Sequence, residues 1–313
     1  MKTKVTETKF KSAIGRAGQL FSKVACLGVV TLICSSASAQ NLVVSGYGCG
    51  GCETFNDVAR GEIYQFTLDG GQIIFASGLI DPRDLASDSL GNLFVVDYGS
   101  SGQVGNAAIY KIAPNGTRTT FASGLSYSSD LTVHSGNLFV ADYDHGIIYQ
   151  YKQTGPPAIF ASGLYHPVGP VFNTVGNLFV ADNSIGNIYQ GSIYEYKPDG
   201  SRVTFAVLDP FDRPADLAFD RMGNLLMADL GGNIYKYAPN GVRTTFGSVP
   251  NSAQSLACDS AGNLYVVDAG DVNGKGNALY KFTPQGTRST FAQGNALGET
   301  FSHVAFEDAV CCQ

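Results

Sequence analysis

Apolar positions in this chain come in short runs of four to six residues, rich in β-branched and aromatic types, and not in the long stripes of helices. Four kinds of run return in fixed order. The first is Pro-x-Asp-Leu-Ala-x-Asp, at Pro82 and Pro214, with looser copies leading through Asp130, Gly169 and Ser255. The second is Gly-Asn-Leu-aromatic-Val-x-Asp, starting at Gly91, Gly136, Gly176, Gly223 and Gly262, with Leu226 in place of the aromatic in the fourth copy. The third is an Ile-Tyr-Lys-Tyr type run centred on Tyr64, Tyr110, Tyr149, Tyr194, Tyr235 and Tyr280, and the fourth surrounds Phe75, Phe121, Phe160, Phe205, Phe246 and Phe291. Turn chemistry separates them, as in Asp88-Ser-Leu-Gly-Asn92 and Pro114-Asn-Gly-Thr117, where Gly and Asn accept positive φ.

Each run predicts a strand. The tyrosines of the third run lie 46, 39, 45, 41 and 45 residues apart. Four strands per unit at a period in the forties predict propeller blades, since a two-layer sandwich would not repeat at one period. Asn41-Leu-Val-Val-Ser-Gly46 supplies a sixth second strand, and His303-Val-Ala-Phe-Glu307 a sixth first strand. The expected fold is therefore all-β: a six-bladed β-propeller of four-stranded antiparallel blades, closed by N- and C-terminal strands that share one blade. Such closure removes the open sheet edges between first and last blades.

Links between strands one and two, and three and four, are short and stereotyped. The strand two-to-three loops are irregular and Gly-rich, among them residues 46–61, 98–108, 183–192 and 269–278. Loops of that kind usually carry function, so the loop-rich face is the expected site.

Composition supports these readings, with 38 Gly and 12 Pro. Residues 1–39 read as a cleaved signal peptide: a basic stretch, the apolar run Val24–Cys34, and Ala37-Ser-Ala39 before Gln40. Residues 40–313 then form the propeller, expected to be exported to a periplasmic or extracellular compartment. Six of the 20 basic residues and one of the 26 acidic ones lie in the leader, which leaves 14 against 25, a net charge of −11. That balance argues against nucleic-acid binding, and no stretch is suited to span a membrane. A protein, a glycan, a small molecule or a cation is the expected partner.

At the channel mouth on the loop-rich face, the residues entering the six inner strands are Asp84, Asp130, Gly169, Asp216, Ser255 and His303. Crowded carboxylates call for a cation or for protonation. Asp84, Asp130, Asp216, Ser255 and His303 are the candidate ligand-binding residues. Asp130, Asp216 and His303 are candidate ligands for a divalent cation of calcium or zinc type. The alternative is that each Asp caps the backbone of its own interblade turn. The second Asp series (Asp97, Asp142, Asp182, Asp229, Asp268) recurs in five blades and reads as structural.

The stretch Pro214-Ala-Asp-Leu-Ala-Phe-Asp-Arg-Met-Gly-Asn224, continuing through Asn240-Gly241, resembles the NHL repeat, and the array resembles the NHL and SMP-30/gluconolactonase-like six-bladed propellers. That resemblance implies both binding scaffolds and lactonases. The lactonases hold a divalent metal at this mouth through a Glu, Asn residues and an Asp. Asp216 matches their Asp, Asp130 stands at an Asn position, His303 replaces the Glu, and Gly169 offers no ligand where another Asn is expected.

Smaller motifs carry less. Gly46-Tyr-Gly-Cys-Gly-Gly51 matches Gly-x-Gly-x-x-Gly but precedes a strand, not the helix a nucleotide site needs. Cys49 and Cys52 could be redox-active, half a zinc site or a local disulfide; export favours the disulfide. Cys258 is the nearest candidate partner for Cys311 or Cys312. Asp271-Val-Asn-Gly-Lys-Gly-Asn277 lacks the distal Glu of a calcium loop. Neither Gly-x-Ser-x-Gly, His-Glu-x-x-His nor a P-loop occurs. Two functional readings result: a binding scaffold acting through the loop-rich face, or a metal-dependent lactonase-type hydrolase at the channel mouth.

Overall fold

A computed structural model describes residues 41–48, 60–99, 107–125, 128–183, 190–270, 276–294 and 299–306. Within them the chain forms 24 strands in six four-stranded antiparallel sheets, the expected six-bladed propeller. Blade 1 occupies residues 82–125, blade 2 residues 128–161, blade 3 residues 167–207, blade 4 residues 214–248 and blade 5 residues 253–293. Blade 6 is assembled from both ends of this array. Strand β24 (Glu299–Phe306) is its innermost member, followed outward by β1 (Leu42–Gly48), β2 (Arg60–Phe66) and β3 (Gln72–Leu79). Leu42 pairs with Phe306, Val44 with Val304 and Ser45 with His303, with a register shift between Ser45 and Gly46.

The inner strands are β4 (Pro82–Ser87), β8 (Ser128–His134), β12 (Pro167–Phe172), β16 (Pro214–Phe219), β20 (Ala253–Cys258) and β24. Each touches the next, and β24 touches β4, which completes the circle around a central channel.

Because successive side chains on a strand point to opposite faces, each blade presents apolar residues to both neighbours. In β1, Leu42 and Val44 pack against Tyr265 and Val267 of blade 5, whereas Val43 packs with Leu85 and Val95 of blade 1. The second strands Leu93–Asp97, Leu178–Asp182, Leu225–Asp229 and Leu264–Asp268 are buried along their whole length for this reason. Every interblade cluster also receives one phenylalanine of the fourth run. Phe121, Phe160 and Phe205 meet Phe94, Phe139 and Phe179 edge-on at 5.2, 5.2 and 5.1 Å. Such pairs contribute about 0.5–1.5 kcal/mol each beyond their buried area.

The turns on one face are fixed by side chains. Asp88 Oδ1 accepts from the Leu90 and Asn92 amides, and Asp220 does the same for Met222 and Asn224. Gly91 and Gly223 take φ of 76° and 77° there.

On the other face the second Asp series has the structural role expected of it, and it reaches further than the following loop. Asp97 accepts from the Ile80, Asp81 and Gly99 amides, Asp229 from Arg213 and Gly231, and Asp268 from Asn251, Ser252 and Gly270. Each carboxylate thereby ties the loop entering its blade to the loop leaving its second strand. Asn277, in the Gly-rich loop between strands two and three of blade 5, accepts from the Phe301 amide and donates to the Phe301 carbonyl, joining blade 5 to β24.

Candidate functional site

The six residues entering the inner strands form a belt between blades. Asp84 Oδ2 accepts from the Leu131 amide of blade 2 at 2.5 Å, and Asp130 Oδ2 from the Gly169 amide of blade 3 at 2.6 Å. Asp216 Oδ2 accepts from both the Leu256 amide and Ser255 Oγ of blade 5, each at 2.8 Å. Ser255 Oγ in turn accepts from the Val304 amide. At the closing junction the His303 amide donates to Ser45 Oγ, which donates to the Arg83 carbonyl at 2.8 Å. The second carboxylate oxygens of Asp84 and Asp216 accept from Leu85 and Leu217 in their own strands, both at 2.7 Å. These carboxyls therefore bind the next blade, where the capping alternative foresaw only their own turn.

Gly169 explains the missing Asp in blade 3. Its φ is +56°, and a Cβ there would lie 2.6 Å from the Leu217 amide nitrogen and about as close to the Asp216 backbone. Blades 3 and 4 are joined at this position by close backbone approach, which only glycine permits.

Burial sets the charges. Asp84, Asp130 and His303 are buried, and Asp216 is half-buried. Desolvation, with repulsion from Asp216, lifts Asp130 to about 8. Asp84 is held well above the carboxylate range by burial and by repulsion from Asp130 and Asp216. Burial lifts Asp216 to about 6 against its three donors. Desolvation and the Arg83 guanidinium push His303 down to about 3. Burial thus favours the uncharged form of both the imidazole and the Asp130 carboxyl. His303 Nε2 lies 3.8 Å from Asp130 Oδ1, beyond hydrogen-bond range, and its Nδ1 faces Ser302 Oγ at 3.1 Å.

Above the belt, on the loop-rich face, a cavity of about 400 Å³ opens at the channel mouth. Asp130 and His303 reach it; Asp84 and Asp216 lie further along the channel, in a second cavity of about 270 Å³. Apart from Asp144 and Pro214, the rest of its wall comes from two positions of the repeat. One is the middle residue of Pro-x-Asp, which supplies Arg83, Val168, Ala215 and Gln254. The other directly follows the strand-two Asp and supplies Tyr98, Tyr143, Asn183 and Leu230. Both positions change from blade to blade, a signal that would have found the wall had it been read as a set. Arg83 is held by Asp81 (Nε–Oδ1 3.0 Å, Nη2–Oδ2 3.1 Å), with its guanidinium 5.4 Å from the centre of the Tyr98 ring. His166 packs on Tyr143 at 4.3 Å, and Asn183 Nδ2 donates to the Pro214 carbonyl. The mouth thus offers aromatic faces, amides, the Asp81-paired guanidinium of Arg83, the exposed Asp144 carboxyl at its rim, and a buried acid and imidazole whose charged forms burial disfavours.

The residues present do not fit the divalent cation considered for Asp130, Asp216 and His303. Among the described residues no three His, Cys, Asp or Glu side chains are placed to share a metal. Both oxygens of Asp216 are committed to protein donors, and Asp216 does not reach the cavity that Asp130 and His303 line. The proposed Cys49–Cys52 disulfide, Cys311, Cys312 and residues 271–275 lie outside the described residues. Cys258 is a half-buried free thiol, pushed up to about 12 by desolvation first and by Asp220 and Asp259 next.

No protein-family model matches the chain, and no curated protein matches it in sequence. Solved structures do resemble it in fold. A chain from the crystal structure of a nidogen/laminin complex aligns with a TM-score of 0.70 at 18% identity, covering 87% of this chain and 100% of that one. A putative gluconolactonase aligns at 0.62 and 16%, covering 76% and 85%. A gluconolactonase from Xanthomonas campestris aligns at 0.61 and 16%, covering 79% and 82%. The class of protein is therefore a six-bladed β-propeller, with neighbours of both binding and lactonase kinds.

Proposed function

We propose that this chain is an exported binding propeller whose mouth cavity takes an uncharged ligand bearing hydroxyl or amide groups, on a glycan, a small molecule or a partner protein. The carrying observation is the cavity wall. Tyr98 and Tyr143 supply faces for stacking, Asn183 and Gln254 supply amides, Arg83 is already paired with Asp81, Asp144 stands at the exposed rim, and Asp130 with His303 forms a floor where burial favours the uncharged forms. A neutral acid donates a hydrogen bond and a neutral imidazole accepts one, which suits a hydroxyl or an amide better than an ion. Export is supported by the basic and apolar leader ending at Ala37-Ser-Ala39. The fold neighbours, one from a protein complex and others gluconolactonases, are compatible with a binding role.

The lactonase reading draws on those same gluconolactonases and on the shared cavity position of Asp130 and His303. It needs a metal held partly by Asp216, whose oxygens are already engaged by Leu217, Leu256 and Ser255. Binding is accordingly the better supported of the two.

The test is a thermal-shift and calorimetric screen of neutral glycans and small polar ligands on the mature chain. The expected hit raises the melting temperature of the wild type and loses affinity in Tyr143→Ala and His303→Ala, but not in Lys236→Ala on the opposite face. Stoichiometric divalent metal together with lactone hydrolysis that is lost in Asp216→Asn would replace this reading with the hydrolase.

A further inference from the structure

The Tyr143 ring of the mouth does not stand alone. His166 packs on it, and Tyr165 meets His166 edge-on at 5.5 Å between ring centres. Tyr143 lines the cavity and Tyr165 is 55% exposed, so three rings run from the cavity wall out to the link between blades 2 and 3. Backbone bonds hold that link in place. The Leu164 amide donates to the Gly146 carbonyl at 3.2 Å, and the Asn183 amide donates to the His166 carbonyl at 3.1 Å. The Tyr165 and His166 amides both donate to Asp182 Oδ1 at 2.8 Å. The His166 ring gives Nδ1–H to the Asn183 carbonyl at 3.2 Å, which leaves Nε2 of the neutral ring as an acceptor. The fold itself asks for no ring at Tyr165. Ile80 and Asn251 hold the same place in blades 1 and 5 and donate their amides to the strand-two Asp in the same way, yet both are non-aromatic and half-buried.

We propose that these three rings form a subsite for the chain of a neutral glycan whose end sugar fills the mouth cavity. The proposal rests on the cavity taking an uncharged polar ligand, and it narrows that ligand to an oligosaccharide. A sugar ring carries C–H groups on its faces and hydroxyls around its rim, so it lies on an aromatic face while its hydroxyls meet polar edges. Tyr143, His166 and Tyr165 each join a flat ring to a polar edge. A ligand confined to the cavity would end at Tyr143; Tyr165 serves one that continues outward. Charge selects a neutral chain, because Asp144 is exposed beside Tyr143 and the mature protein is strongly acidic, which repels acidic sugars. The link that carries Tyr165 is fixed by its own amides, so little ordering is left for the ligand to impose.

The experiment is a screen of the mature chain on an array of neutral glycans, followed by calorimetry with the best-bound sugar and its oligomers of two to five units. Affinity is expected to rise as the chain lengthens from one unit to three. Tyr165→Ala, with an unchanged melting temperature, is expected to lose roughly threefold to tenfold in affinity for the longer chains. Tyr165→Phe, which keeps the ring, is expected to retain most of the gain, and Lys236→Ala on the opposite face all of it. Binding of the single sugar with no gain on lengthening, or a gain indifferent to Tyr165→Ala, would overturn the subsite and leave the cavity reading intact. So would a cavity that binds small amides or peptides but no glycan on the array. A protein that binds none of these would remove the cavity reading as well.

Discussion

Asp216 separates a structural belt from a metal site. Asp216→Ala removes the acceptor for the Leu217 amide at 2.7 Å, and for the Leu256 amide and Ser255 hydroxyl at 2.8 Å. An amide left unpaired in a buried position costs about 1–3 kcal/mol. Ser255 can rotate toward another acceptor, and the half-buried site admits some water, so the two amides set the scale at about 2–4 kcal/mol. For a chain of this size each kcal/mol moves the melting temperature by roughly 2–4 °C, giving a drop of about 4–16 °C. Asp216→Asn keeps one carbonyl oxygen as acceptor and is expected to lose about half as much. The assay is equilibrium urea unfolding of both variants at pH 7, with ligand affinity measured on the folded protein. A loss below about 0.5 kcal/mol for Asp216→Ala, the range of an uninvolved surface position, would refute the belt. Abolished binding at full stability would point to a functional carboxylate instead.

Three further outcomes follow from the same geometry. Asp130 holds its proton to about 8 in the fold but releases it near 3.8 when unfolded, so its contribution is complete below 3.8 and lost as pH rises through 8. His303 acts in the opposite direction, between its unfolded value near 6.5 and about 3, which leaves pH 6.5–8 to the aspartates. Stability is therefore expected to fall as pH rises across that window, and Asp130→Asn to flatten the slope in urea midpoints taken at each pH. Gly169→Ala is expected to cost more than about 2 kcal/mol, since left-handed φ alone costs about 1–2 and its Cβ would collide with the Leu217 amide; thermal melting checks this. Phe205→Ala, which empties the edge-on contact with Phe179 at a half-buried position, is expected to cost about 2–3 kcal/mol by urea unfolding, less than a fully buried phenylalanine, against a fraction of that for the exposed Met222→Ala.

The fold was legible because each blade repeats the same physical task. One phenylalanine fills each interblade cluster, one tyrosine marks each third strand, and Gly-Asn opens five of the six second strands, so period and closure could be counted. The belt positions Asp84, Asp130 and Asp216 were legible for the same reason. Their partners were not, because the donors come from the next blade, 47, 39 and 40 residues along the chain. The mouth was legible as a face but not as a wall. Arg83 and Tyr143 sit at positions where the repeat tolerates any residue, and a consensus hides what varies. Reading the variable positions as a set would have found them.

The account rests on a ring closed by β24 against β1, which alone gives the mouth a complete wall. Hydrogen exchange of the native protein tests this directly. Amides of residues 42–46 and 303–306 are expected to exchange together, as slowly as those of the inner strands β8 and β16, because both require the ring to open. Exchange of residues 303–306 at the rate of an unstructured peptide, while residues 42–46 stay protected, would contradict it.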